Sequence, residues 1–289
     1  MSERIEEDRP GRLPDLVYIG PDKAGSTWLH RVLRWHPEIY VPAVKELFFF
    51  DRYHRRGADW YRAHYAGCPA GAAAVADISH DYLYDPAVPE RMRALLGPDV
   101  RIMATLREPV DRAWSAYHFM VRQGRVRAPF AEAVRTVPEL LDHGRYATHL
   151  RPFLDTFPRN QLFAPTFDRL AEDPQGFAAD LFAFLGVAVV DVPVDLHGKA
   201  LGISRPRSFG LARVARSAGV WVRDRGGERV VARAKGSTFV QRGLYRGYDD
   251  QGPVMDAALR EDLRAEVAPD VAAVDALLGT DCAAAWGYR

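Results

Sequence analysis

The run Leu16-Val17-Tyr18-Ile19 is short, apolar and β-rich, and it stops at Gly20. A run of that kind reads as a strand buried on both faces, as in a parallel sheet. After a seven-residue turn, Leu29, Val32 and Leu33 recur at helical spacing until His36-Pro37 ends the pattern. Ala74-Val75-Ala76-Asp77-Ile78 and Arg101-Ile102-Met103-Ala104-Thr105-Leu106 also have strand character, and the second leads through Glu108-Pro109 into a helical stretch reaching Tyr117. A fourth candidate strand, Gln161 to Ala164, precedes Asp173-Pro174 and a helix carrying Phe177, Leu181, Phe184 and Leu185 before Gly186. Strands alternating with helices predict an α/β fold, a parallel β-sheet flanked by helices on both faces. The periodicity of Leu259, Leu263, Val267, Val274 and Leu277 predicts a closing helical stretch over Met255–Leu278, divided at Pro269.

The chain has 289 residues, 48% of them hydrophobic and 11% aromatic, with 39 Lys+Arg against 38 Asp+Glu. A net charge of +1 with that apolar content excludes disorder as the main state and disfavours a nucleic-acid coat protein. Cys68 and Cys282 are too far apart for a disulfide framework or a metal-ligand set, which fits a reducing compartment. Residues 1–14 read as a flexible arm without the apolar core of a secretory signal, and 15–289 as a single domain. No run approaches the ~20 apolar residues that span a bilayer. The expectation is a soluble, cytoplasmic protein with no membrane span; oligomeric state is not legible.

The turn itself, Gly20-Pro21-Asp22-Lys23-Ala24-Gly25-Ser26-Thr27, carries the most chemistry. Backbone N–H groups and the helix dipole converge where a strand turns into a helix, and together they attract an anion. The spacing is that of the phosphate loop G-x-x-x-x-G-K-[ST], except that Ser26 stands where that motif has lysine and the lysine has moved to Lys23. The plainer alternative is a glycine-containing β–α turn capped by Ser26. Arg107 falls at the carboxyl end of a predicted parallel strand, where open α/β sheets bind ligands, and Ser115 lies eight residues on. Each also has an ordinary reading, Arg107 as an ion pair with Glu108 or Asp111 and Ser115 as a helix serine.

Together these two elements resemble the sulfotransferase family that uses 3′-phosphoadenosine 5′-phosphosulfate (PAPS). The Gly20–Thr27 motif resembles that family's 5′-phosphosulfate loop, and Arg107–Ser115 its 3′-phosphate site. Similarity continues through Lys45-Glu46-Leu47-Phe48-Phe49-Phe50-Asp51, Asp77–Leu83, Gly144-Arg145-Tyr146 with His149-Leu150, and Phe184-Leu185-Gly186. The resemblance implies that Lys23, Ala24, Gly25, Ser26, Thr27 and Trp28 hold the donor's 5′ side. Arg107 and Ser115 would hold its 3′ phosphate, and Arg207, in a third basic loop, would close over the nucleotide. Lys23 would also stabilise the leaving oxygen. The Lys45–Asp51 segment is similar to the K-E-x-H-F-F-D pattern of carbohydrate sulfotransferases, whose glutamate is the general base; Glu46 is the candidate here. Phe48 replaces that pattern's histidine, and Asp77 and His80 replace the Glu and Pro of E-K-[ST]-P-x-Y. The three phenylalanines after Leu47 would form an apolar wall that desolvates Glu46. Tyr82 and Tyr146 read either as acceptor-side or as packing residues.

The implied reaction moves a sulfuryl group from PAPS to a hydroxyl, or an amine, of a small-molecule, glycan or secondary-metabolite acceptor, without a metal. It leaves adenosine 3′,5′-bisphosphate (PAP). Two rivals remain open: a magnesium-dependent phosphate-loop phosphotransferase, and a non-catalytic homologue that only binds nucleotide. Residues 205–246 hold eleven Lys or Arg against Asp224 and Glu228, which reads as a solvated surface or a basic lid over an anionic ligand. Nucleic-acid or membrane-surface contact by this segment is disfavoured, because Gly226-Gly227 interrupts any single long amphipathic helix and no nucleic-acid motif is present.

Overall fold

The computed structural model describes residues 12–197, 204–237, 240, 243–247 and 253–288. Five parallel strands form the central sheet: β1 (Leu16–Gly20), β2 (Ile39–Tyr40), β3 (Ala74–Ile78), β4 (Arg101–Ala104) and β5 (Leu162–Phe163). Their spatial order is β2-β3-β1-β4-β5. From β1 the chain passes to the edge strand β2, returns to β3 beside β1, and then crosses to the other side of β1 through β4 and β5. A crevice therefore opens at the carboxyl end of β1, the switch point at which such sheets bind ligands.

Alternation along β1 explains why it needs both faces covered. Val17 and Ile19 enter one core with Val75, Ile102, Tyr61, Phe153 and Val274. Leu16 and Tyr18 enter the other with Leu29, Val32, Phe177 and Leu181. The predicted parallel sheet between two helical layers is thus present. The fourth predicted strand is confined to Leu162–Phe163, and β4 stops at Ala104, with Leu106 forming an isolated parallel bridge to Thr166.

Two expectations change, and one lies outside the described residues. Residues 1–11 of the proposed arm lie outside the described residues. The arm does not extend to residue 14, because Arg12 donates to the Asp15 carboxylate at 2.7 Å and to the Ala73 carbonyl at 3.1 Å. Pro269 does not divide the closing helix, which runs unbroken over Ala257–Leu278. Leu263, Val267, Val271, Val274 and Leu278 are all buried along it, and that packing outweighs the hydrogen bond that proline removes. The basic segment contains a two-stranded antiparallel pair, β6 (Ser204–Pro206) with β7 (Tyr245–Gly247). Between them lie helices Phe209–Asp224 and Glu228–Gly236, and the predicted break at Gly226-Gly227 separates the two. Among the described residues no helix is long and apolar enough to cross a membrane.

Candidate active site

The loop after β1 is held open by its glycines. Gly25 has φ +92°, and a Cβ there would come within 2.7 Å of Leu170 Cδ2. At Gly20, φ +136°, a Cβ would meet the His80 carbonyl oxygen. Helix Ser26–Trp35 starts directly at this turn with Gly25 as its N-cap and no side-chain cap. Ser26 is therefore not the capping residue that the plainer reading of the turn expects. The first helical bond runs from Leu29 N–H to the Gly25 carbonyl, so the amides of Ser26, Thr27 and Trp28 point out of the helix end.

Cations converge on this turn. Lys45 donates through Nζ to Ser26 Oγ at 3.0 Å and Thr27 Oγ1 at 3.3 Å. Arg107 donates to the Lys23 carbonyl at 2.8 Å, tying the loop to the end of β4. The alternative pairing of Arg107 is not what the structure shows. Glu108 caps helix Pro109–Arg122 by accepting from Asp111 N–H, and Asp111 pairs with Arg260 at 2.6 Å. Lys23 Nζ lies 4.4 Å from the centre of the Phe119 ring. Ser115, half-buried, stands one turn before Phe119, which directs its side of the helix toward the loop. Burial, with Arg107, Arg122 and Lys45 nearby, pulls the Lys23 ammonium down to about 8 against the opposing pull of Asp22. Such crowding of like charge is relieved by an anion, so the residues present fit a phosphate-bearing ligand.

Asp22 has a different task. Burial alone would raise its carboxyl, but the Arg112 guanidinium, with His143 and His80, holds it well below the usual carboxylate range. Arg112 is fully buried and donates to Asp22 Oδ1 at 2.9 Å and to the carbonyls of Glu139 and Leu140. Tyr84 adds a further bond to Asp22 at 3.0 Å. The acid nearest the loop is thus consumed in bracing it.

Opposite the loop, segment Val44–Phe50 crosses the end of β3, where the Glu46 amide donates to the Ile78 carbonyl at 3.0 Å. Among the described residues, positive φ at a non-glycine position occurs at Lys23 (+66°), Glu46 (+64°) and Phe48 (+52°). That costly conformation concentrates at functional sites, and here it marks both banks of one cleft. The Glu46 carboxylate meets Lys45 Nζ at 3.3 Å and His80 Nδ1 at 3.6 Å, and His80 Nε2 lies 3.3 Å from Asp81.

Several expectations need correcting. The apolar wall does not enclose Glu46, because Phe49 and Phe50 turn into the core and the carboxylate faces cationic and imidazole groups instead. Trp28 contributes only backbone to the turn; its ring is buried edge-on against Phe177 at 5.6 Å. Ala24 is fully buried beneath the loop. Asp77 is a core anchor that accepts from Ser79 Oγ, Tyr61 OH and Tyr82 OH at 2.8–3.0 Å, and burial pushes its carboxyl up. Tyr82 and Tyr146 are packing residues, the latter donating to the Arg107 carbonyl at 2.6 Å. Arg207 sits on the β6–β7 pair, its amide bonded to the Leu244 carbonyl, with the side chain exposed. That pair reaches the site's flank through Arg122, whose guanidinium lies 4.2 Å over the Tyr245 ring.

Sequence reasoning missed the roles of Lys45, Arg112 and His80. The segments that carry them, Lys45–Asp51, Arg107–Ser115 and Asp77–Leu83, stood out only through the family resemblance.

A strand–loop–helix anion site at the switch point of a parallel sheet, faced by a carboxylate on the opposite bank, defines a phosphate-ester-binding α/β protein. Residues 13–244 match the family described as the sulfotransferase domain, and the chain belongs to that family. It is 29% identical over 226 residues to human heparan sulfate glucosamine 3-O-sulfotransferase 6, covering 71% of this chain and 65% of that protein. It is 31% identical over 201 residues to human bifunctional heparan sulfate N-deacetylase/N-sulfotransferase 3, covering 61% of this chain and 22% of that protein. The chain thus spans less than two thirds of these relatives' own length. A sulfotransferase from Alicyclobacillus acidocaldarius superposes with a TM-score of 0.68 at 28% identity, covering 93% of this chain and 97% of that one.

Proposed function

We propose that the protein transfers a sulfuryl group from PAPS to a hydroxyl or amine of a glycan or small-molecule acceptor. The observation that carries this reading is the pairing of Lys23 and Glu46, both at positive φ, on opposite banks of the crevice at the end of β1. Family membership and the resemblance to heparan sulfate sulfotransferases support the donor and the acceptor class. When bound, the donor supplies a phosphosulfate anhydride whose bond between sulfur and the 5′-phosphate oxygen breaks as the acceptor's bond to sulfur forms.

Each residue then has a task set by its position. The amides at the start of helix Ser26–Trp35, with Ser26 and Thr27 oriented by Lys45, would bind the 5′ phosphate. Lys23 would meet the negative charge developing on the departing oxygen. The crowding that lowers it to about 8 in the free protein fits a residue held ready for an anion. Arg107 and Ser115 would take the 3′ phosphate and so select PAPS over ordinary adenine nucleotides. Glu46 would accept the acceptor's proton, with His80 beside it.

A transfer assay with radiolabelled PAPS and panels of amino sugars, phenols and lipid alcohols tests the reading. Labelled product is expected with the wild type, and its rate should fall by roughly 10²–10⁴-fold in Glu46→Gln. Equal rates for Glu46→Gln and wild type would remove Glu46 from the reaction.

A further inference from the structure

Helix Phe209–Asp224 carries two unlike faces. Its inner face is committed to the body of the protein: Ala212 is buried, and Arg223 donates to the Lys45 carbonyl at 3.5 Å and lies 5.3 Å from the Phe48 ring. The acids of the segment are also turned inward. Asp224 accepts from Tyr53 OH at 2.9 Å, and Glu228 pairs with Arg56 at 3.7 Å and His64 at 3.6 Å.

Among the described residues nothing covers the outer face. Leu211, Val214 and Trp221 are 61%, 65% and 57% exposed, with exposed Ala218 between them. Their spacing of three, four and three residues draws one stripe along the helix, across the axis from Ala212 and Arg223. Arg225 stacks on Trp221 at 3.8 Å at the end of the stripe, and exposed Arg229 and Arg233 continue the basic surface beside Val230, itself 62% exposed. Aliphatic and indole side chains left in water beside a field of guanidinium groups mark an interaction surface.

We propose that this outer face docks the protein on an anionic lipid bilayer. The boundary between headgroups and acyl chains takes the Leu211–Trp221 stripe while lipid phosphates take the arginines, so one surface satisfies both features at once. A polysaccharide would answer the arginines and leave the aliphatic stripe in water. An apolar protein groove would do the reverse. The inner face of the same helix touches the Lys45–Phe48 turn, so a docked bilayer lies one helix diameter, about 10 Å, from the candidate active site.

Co-sedimentation of the full chain with phosphatidylcholine vesicles, and with vesicles of equal parts phosphatidylcholine and phosphatidylglycerol, tests this. Binding is expected to be roughly tenfold or more stronger to the anionic vesicles and to weaken with salt. The variant Val214→Asp/Trp221→Asp should lose it with far-ultraviolet circular dichroism, melting temperature and PAP affinity unchanged. Arg229→Gln/Arg233→Gln should weaken binding to anionic vesicles only. Absence of binding to either vesicle, or full binding by the aspartate variant, would overturn the proposal. So would a concentration-dependent dimer that the aspartate substitutions dissolve, because a second copy would then own the stripe.

Discussion

Replacing Arg112 with methionine removes the fully buried cation that braces the donor loop. Three acceptors lose a partner: Asp22 Oδ1 and the carbonyls of Glu139 and Leu140. Breaking a buried ion pair by deleting one partner costs ~3–5 kcal/mol, because the remaining charge stays desolvated. Asp22 keeps Tyr84 at 3.0 Å and His143 at 3.6 Å, which places the expected loss at the low end, about 3 kcal/mol. The pH dependence supplies a second, independent signature. In the wild type the Asp22 carboxyl lies below its unfolded value, so its stabilisation is complete above that value and lost as pH falls. In Arg112→Met burial acts on Asp22 without the guanidinium and raises its carboxyl, so acidification relieves the variant. The stability gap should therefore narrow as pH falls from 7 toward 4. Urea denaturation of both proteins across that range measures it. A gap under about 1 kcal/mol at neutral pH, or one that does not narrow, would refute the bracing role.

Lys23 titrates near 8 in the free protein, so PAP affinity should be level below that pH and fall by up to about tenfold per pH unit above it. In Lys23→Arg, titration calorimetry should give a flat profile through pH 9, since arginine stays charged. The sign for stability is opposite: the unfolded chain binds the extra proton between about 8 and 10.4, so Lys23's contribution to stability rises with pH there. Gly25→Ala places a Cβ 2.7 Å from Leu170 Cδ2 at φ +92° and should cost about 2 kcal/mol in thermal unfolding. Adding Leu170→Ala should relieve the clash with the new methyl but not the backbone strain. His80→Ala should lower kcat roughly tenfold or more while leaving PAP affinity unchanged in calorimetry, because His80 touches Glu46 and not the donor loop's cations.

What was legible in the sequence is what local rules govern. β1, the glycine turn and the following helix are contiguous, and their pattern encodes both the burial and the open amides of the loop. Arg107 was found because a strand's carboxyl end in a parallel sheet is a position defined by topology. What was not legible depends on contacts across the sheet. Arg112 reaches Asp22 over 90 positions of sequence, and Lys45 reaches Ser26 over 19. The expected apolar setting of Glu46 failed for a related reason. Positive φ at Glu46 and Phe48 reverses the chain twice, sending Phe49 and Phe50 into the core and the carboxylate toward Lys45 and His80. Pro269 shows local propensity losing to packing, since five buried residues hold its helix together.

The most direct measurement is titration calorimetry of adenosine 3′,5′-bisphosphate into the full chain, with adenosine 5′-monophosphate as the comparison ligand. Saturable one-to-one binding is expected, weaker without the 3′ phosphate and lost in Lys23→Ala, with Glu46→Gln binding as the wild type does. A chain that binds neither ligand, or a Lys23→Ala variant with undiminished affinity, would contradict the assignment of the β1 loop as the donor site.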